Sequence, residues 1–129
     1  AIAWMKRAPL LDGDLNGEEF QCAWSIDSLD EVAVWVRNVS KHPDSFWLPR
    51  VGARFYPDFV AKLADGRLFV VEYKGEHLVG APEAREKDMI GMIWARTTGN
   101  VFLMVRKFEH GIDAAGQMRN TLARFAQPR

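Results

Sequence analysis

The sequence predicts an α/β domain, a mixed central sheet flanked by helices, and three observations carry that expectation. Apolar runs rich in β-branched and aromatic residues recur at 32–38, 54–63, 67–74 and 101–107, as buried strands do. Segments with helical spacing of apolar residues lie before, between and after them. The chain has 129 residues, 48% of them hydrophobic, which is enough for one compact domain with a core and too short for two ordinary ones.

Each element has its own local signal. Asn16 is placed to cap a helix over about 17–28, with Glu18 and Glu19 in its first turn, where the helix dipole favours acids. Phe20, Ala23 and Trp24 share one face of that helix. "VAVWVRN", 32–38, reads as a strand, and "VSKHPDSFWLPRVG", 39–52, with two prolines and a glycine, reads as a long loop. Strands over 54–63 and 67–74 follow, joined at "ADG". Pro82 suits a first helical turn, Ile90, Ile93, Trp94 and Thr97 form a stripe, and Gly99 is placed to end that helix. "VFLMVRK", 101–107, is a buried strand, and a last helix over about 113–126 presents Ala115, Met118, Leu122 and Phe125 on one side. The order is α-β-β-β-α-β-α, without repeats or low-complexity segments.

Composition narrows the setting. One cysteine, Cys22, excludes an internal disulfide, and no stretch is apolar enough for a signal peptide or membrane span, so a reducing, cytoplasmic location is expected. Beginning at Ala1, the chain is expected to be a single domain, 1–129, cut from a larger protein. Lys plus Arg and Asp plus Glu each total 17, so net charge gives no sign of a nucleic-acid partner. The distribution is uneven: seven acids and no base in 11–31, six bases against Glu109 and Asp113 in 96–129. Two solvated faces explain that asymmetry as well as a steering field does. His42, His77 and His110 have no metal-ligand spacing; Trp4, Trp24, Trp35 and Trp94 are expected in the core.

The hairpin at 54–74 holds the unusual chemistry. Asp58, Glu72 and Lys74 interrupt its most apolar stretches, and charges are expensive there unless paired. If Ala64-Asp65-Gly66 is a three-residue loop with glycine left-handed, Leu63 pairs with Arg67 and Asp58 lies opposite Glu72. Alternation puts Lys74 on the same side. A two-residue turn at Asp65-Gly66 would instead oppose Asp58 to Tyr73 and separate the acids. Two carboxylates side by side repel, raising one pKa unless a cation sits between them. A hard divalent ion is the natural occupant, since Mg²⁺ is typically held by one or two carboxylates with phosphate and water.

Pro57-Asp58, the hairpin, and Glu72-Tyr73-Lys74 after an apolar strand together resemble the signature of the PD-(D/E)xK nuclease superfamily, whose restriction-endonuclease-like core runs α-β-β-β-α-β. "FYPDFV", "DGRLFVVEYKG" and "VAVWVRN" resemble more narrowly the C-terminal endonuclease domain of type III restriction enzyme cleavage subunits and related helicase-linked nucleases, over about residues 17–107. The resemblance implies Asp58, Glu72 and the Tyr73 backbone carbonyl as ligands of Mg²⁺, with Mn²⁺ as substitute. It implies Lys74 acting on the attacking water and the scissile phosphate. An acid of the first helix would join them, Glu19 or its neighbour Glu18, and Lys87 would sit near a phosphate. Trp47, in the proline-rich loop, is a candidate DNA contact.

The implied activity is a Mg²⁺-dependent deoxyribonuclease leaving 5′-phosphate and 3′-hydroxyl ends. The implied partners are DNA and an ATP-dependent helicase or translocase module in the same polypeptide, with room for a dimer in double-strand cleavage. No Walker-type glycine loop is present, so a motor would lie elsewhere. Two alternatives stay open: a catalytically silent DNA-binding or docking domain with the same fold, and an RNA or single-strand nuclease. For Asp58, Glu72 and Lys74 the competing role is a structural ion cluster; for Glu19, complementing the helix dipole; for Lys87, a solvated helix position.

Overall fold

In a computed structural model that describes residues 17–78 and 80–127, the protein is a mixed α/β fold. The expected roles of Asn16 and Trp4 lie outside the described residues. In chain order the elements are α1 (Gly17–Asp27), β1 (Val32–Arg37), β2 (Leu48–Arg50), β3 (Ala53–Phe55), β4 (Phe59–Leu63) and β5 (Leu68–Tyr73). A short 3₁₀ turn (Glu76–Leu78), α2 (Pro82–Thr98), β6 (Val101–Val105), β7 (Phe108–Glu109), β8 (Ile112–Asp113) and α3 (Ala114–Arg124) complete it.

The central sheet has the order β1-β4-β5-β6, antiparallel until the last pair, where β6 returns parallel to β5 after the α2 crossover. Gly66 is left-handed at φ +94° and the Leu63 N–H donates to the Arg67 carbonyl at 2.8 Å, so the β4–β5 loop has three residues. The register follows: Phe59 pairs with Val71, Val60 with Val70 and Ala61 with Phe69.

Two cores lie on the two faces of the sheet. On one, Cys22 and Ile26 of α1 and Met118 and Leu122 of α3 pack against Trp35, Phe59, Phe69 and Val71. On the other, Val60, Val70 and Phe102 pack with Leu48 and Phe55 of a separate β2–β3 ribbon, beneath α2. No helix among the described residues is long and apolar enough to cross a membrane.

Several expectations need correction. The strand expected over 54–63 is broken at 56–58, and its first part pairs with β2, inside what reads as a long loop. Pro57 gives no N–H to a ladder, so the chain changes partners there. On α1 the buried face is Cys22, Ala23 and Ile26, while Phe20 and Trp24 stack on the outside with ring centres 6.4 Å apart. Trp24, 59% exposed, is therefore not a core residue, whereas Trp35 is and Trp94 packs partly buried beside Phe46. On α3 the buried face is Ala114, Gln117, Met118, Thr121 and Leu122, and Phe125 falls past the helix end, exposed. The β7–β8 hairpin has no expected counterpart.

On α2, Ile93 is 56% exposed and Thr97 faces solvent, so the expected stripe is rotated: Ala84 and Gly91 are the buried positions. Close approach explains this. A Cβ built on Gly91 would lie 2.4 Å from the Phe102 ring, so the helix rests on the sheet where it has no side chain. Because Phe102 is itself buried against Phe55, with ring centres 6.2 Å apart, the ring has little room to yield. Gly91→Ala should therefore destabilise the fold by about 1–3 kcal/mol despite alanine's better helix propensity. Denaturant melts of the two proteins check this, and an unchanged midpoint would remove the close-packing explanation.

Candidate active site

The site begins where the β4–β5 ladder stops. Leu63 and Arg67 form a hydrogen-bonded pair, so alternation makes 61/69, 59/71 and then 57/73 the later hydrogen-bonded pairs. Pro57 cannot donate to the Tyr73 carbonyl, and the Pro57 carbonyl is taken by the Asn38 side-chain amide at 2.9 Å. Side chains fill the gap: the Tyr73 N–H donates to Asp58 Oδ2 at 2.8 Å and the Asp58 N–H to Glu72 Oε1 at 3.1 Å. The Tyr73 carbonyl, on the same edge as its N–H, is left facing Asp58 without a ladder donor. The last ladder pair is Phe59–Val71, and one step beyond it the Asp58 and Glu72 side chains are brought together by these two cross-strand bonds.

Burial makes this pair electrostatically tense. Glu72 is only 5% exposed, and burial first, then the charge of Asp58, pushes its carboxyl up to about 9. Asp58 is also raised, mainly by burial, against the lowering bond from the Tyr73 amide. Two carboxyls this close and this buried are disfavoured as two charges at once, and the upward push falls hardest on Glu72. Two cations border them. Lys87 Nζ lies 3.9 Å from Glu72 Oε2 and 3.1 Å from Glu83, above the Phe55 ring at 5.3 Å, so it faces inward rather than into solvent. Lys74 is 8% exposed, and among the described residues its ammonium has no hydrogen bond and no ion pair within 4.0 Å.

The two first-helix acids separate. Glu19 approaches the pair: its carboxyl is raised by burial and then by Asp58, with Arg37 opposing. Glu18 instead lines a cavity with Tyr73, whose hydroxyl is pushed up to about 12 by burial first and then by Glu18. Cys22 lies buried behind the acids, its thiol raised well above the usual range by burial, then by Asp58, Glu19 and Glu72. Trp47 is engaged on the ribbon, with the Arg54 guanidinium 4.1 Å from its ring centre.

Asn38 is the residue that sequence reasoning missed. Its backbone N–H donates to the Asp58 carbonyl at 2.8 Å, its side-chain amide to the carbonyls of Phe46 and Pro57, and its Oδ1 accepts from the Phe46 N–H. One side chain thus ties the end of β1 and the 39–46 loop to the segment carrying Asp58. An asparagine directly after an apolar strand is the only signal, and it is also what an ordinary strand end shows.

Among the described residues no group of three or more His, Cys, Asp and Glu could enclose a metal ion. The set present is two carboxylates and a carbonyl, and that fits Mg²⁺, which takes one or two carboxylates and completes its shell with water and phosphate. The facing carboxyls mark the place where a cation would relieve the repulsion.

Two outcomes test this arrangement. The folded state holds a proton on Glu72 between the ordinary carboxylate range and about 9, where the unfolded chain has lost it. In chelator, stability should therefore fall as pH rises through that window, and Glu72→Gln should flatten the fall; equal slopes in pH-dependent melts would dismiss the upward push on Glu72. In amide exchange, Asn38→Ala should speed exchange of the Tyr73 N–H, whose acceptor is Asp58, more than that of Lys74, which bonds the Val105 carbonyl. Equal acceleration at both amides would leave Asn38 a general stabiliser only.

Compared with known proteins, the chain matches no family model, no curated protein and no solved structure.

Proposed function

We propose that this domain is a metal-dependent endonuclease of the PD-(D/E)xK kind that hydrolyses DNA phosphodiester bonds, with the restriction-endonuclease-like core, serving as the cleavage domain beside an ATP-dependent helicase or translocase module. The observation that carries the reading is the buried carboxylate pair Asp58–Glu72, each accepting a backbone N–H across the unzipped end of the β4–β5 hairpin, with Lys74, buried and without an ion pair among the described residues, two residues beyond Glu72. The order α1, β1, β4, β5, α2, β6, with the β2–β3 ribbon inserted, is compatible with that core.

Asp58, Glu72 and the Tyr73 carbonyl would hold Mg²⁺. When bound, the ion supplies Lewis-acid polarisation of the phosphate and lowers the pKa of a coordinated water. The chain's own residues do the rest. Asp58 and Glu72 would present anionic oxygens to the ion, any proton held between them passing to solvent water. Lys74, two residues beyond Glu72, orients the attacking water and stabilises charge gathering on the scissile phosphate. Glu19 adds a third acid on the α1 side, and Lys87, set between Glu72 and Glu83, would lie beside a phosphate.

A structural role competes on one specific observation: each carboxylate already accepts a backbone N–H of the other strand. Asp58→Asn separates the two readings, because asparagine Oδ1 keeps the bond from Tyr73 and removes the charge. The nuclease reading expects plasmid nicking that requires Mg²⁺ or Mn²⁺ and stops in chelator. It expects Asp58→Asn to abolish nicking while the metal-free fold stays as stable or gains, and Lys74→Met to slow nicking by about a hundredfold or more. If the pair is structural, Asp58→Asn should lose stability, toward the roughly 3–5 kcal/mol of a broken buried pair, with no metal-induced rise in melting temperature in the wild type. That result would end the catalytic reading.

A further inference from the structure

Beside the acid pair lies a second feature that metal ligation does not use. Strands β5 and β6 run parallel, with Tyr73 in register with Val105, so the residues just past their ends, Lys74 and Arg106, emerge side by side. Carboxyl ends of parallel strands are where open α/β sheets bind ligands. Here they open into a cavity of about 160 Å³ that also takes in Gly80, Ala84 and Arg85 at the start of α2. At roughly 30 Å³ of liquid volume per water, that is room for a small tetrahedral anion.

The lining of this cavity favours an anion. Helix α2 is 17 residues long, its N-cap residue, Ala81, contributes no side-chain cap, and Ala84 and Arg85 near its N-terminal end line the cavity. Lys74 lines the cavity, more than nine-tenths buried and without an ion-pair partner among the described residues. Arg85 and Arg106 add two guanidiniums with forked donors suited to phosphate oxygens. The Arg106 backbone is held fast: buried Gln117 accepts from its N–H at 3.0 Å and donates to its carbonyl at 2.9 Å. Glu83, the acid of the first helical turn, is committed elsewhere, to Lys87 and Arg50. Asp88 and Glu109 complete the rim, so three cations meet two acids.

We propose that this cavity is a phosphate-binding pocket, built by Lys74, Arg85, Arg106 and the α2 N-terminus, that grips the polynucleotide phosphate next to the one being cleaved. The identity of that phosphate rests on the nuclease reading; the anion affinity does not. Lys74 belongs to both sites and couples them: a phosphate seated in the pocket brings its neighbour toward the Asp58–Glu72 pair. The same chemistry would take an internal phosphodiester or the phosphate at a strand end, and the two call for different substrates.

The test runs in chelator, without cleavage. Melting temperatures are compared in inorganic phosphate and in chloride at equal ionic strength. Wild type should melt higher in phosphate, the Arg85→Gln/Arg106→Gln double variant should lose that rise relative to its own chloride value, and Arg119→Gln/Arg124→Gln on α3 should keep it. With a short labelled duplex, the first double variant should bind about tenfold more weakly and with a salt slope shallower by about one, the α3 variant little changed. Equal loss on 5′-hydroxyl and 5′-phosphate duplexes assigns the pocket to an internal phosphate; loss confined to 5′-phosphate duplexes assigns it to a strand end. No phosphate-specific rise in wild type, or a rise that survives in Arg85→Gln/Arg106→Gln, would overturn the pocket. A phosphate-specific rise together with the absence of metal-dependent nicking would keep the pocket and remove the nuclease reading.

Discussion

The candidate site depends on one missing hydrogen. Had residue 57 carried an N–H, the β4–β5 ladder would continue, the Tyr73 carbonyl would be consumed within it, and Asp58 and Glu72 would sit on a closed hairpin. Proline at that position ends the ladder two residues early. The carboxylates then take over the unmet amides, each bonding across the gap. The opening is a local vacancy in backbone pairing, bounded by a strong four-stranded sheet on one side and a separate ribbon on the other.

That vacancy persists because its surroundings are stiff. Phe59 and Val71 anchor the last complete pair in one core, Val60 and Val70 in the other. Asn38 fixes the backbone before Asp58, and Gln117 fixes the strand end that carries Arg106. Between those clamps two acids sit in a space too dry for two charges, with cations at the border rather than in direct contact. Such an arrangement is poor as a stabilising device, since buried ion pairs gain little over apolar packing. On the proposed reading it would receive a mobile cation and a phosphate, each neutralising what the other leaves. Zero net charge fits the same picture, because attraction for a polyanion would be concentrated at one edge rather than spread over the surface.

Much of this was legible in the residues, and what was not has physical reasons. The loop length fixed by Gly66 carried the register and hence the facing of Asp58 and Glu72. The break at Pro57 was readable as a missing donor, yet the apolar residues on both sides disguised two strands in different sheets as one. Helix faces were the weakest reading. On α2 the buried stripe carries Ala84, Lys87 and Gly91, small or charged because the helix lies close to Phe102 and to the acids, so apolar spacing pointed to Ile93 instead. On α1 the largest apolar residues, Phe20 and Trp24, face outward, and the inward face needs small Cys22 and Ala23 to let the helix lie near the site. Asn38 and the Lys74–Arg106 adjacency depend on contacts between distant segments, for which no local pattern exists.

Calorimetric titration of Mn²⁺ into the chain at neutral pH, in two buffers of different ionisation enthalpy, tests the buried carboxyl pair most directly. Binding of the ion with release of close to one proton, lost in Asp58→Asn, is the expected result. Absence of binding, or binding that releases no proton and survives in Asp58→Asn, would contradict the assignment of Asp58 and Glu72 as a metal-receiving pair.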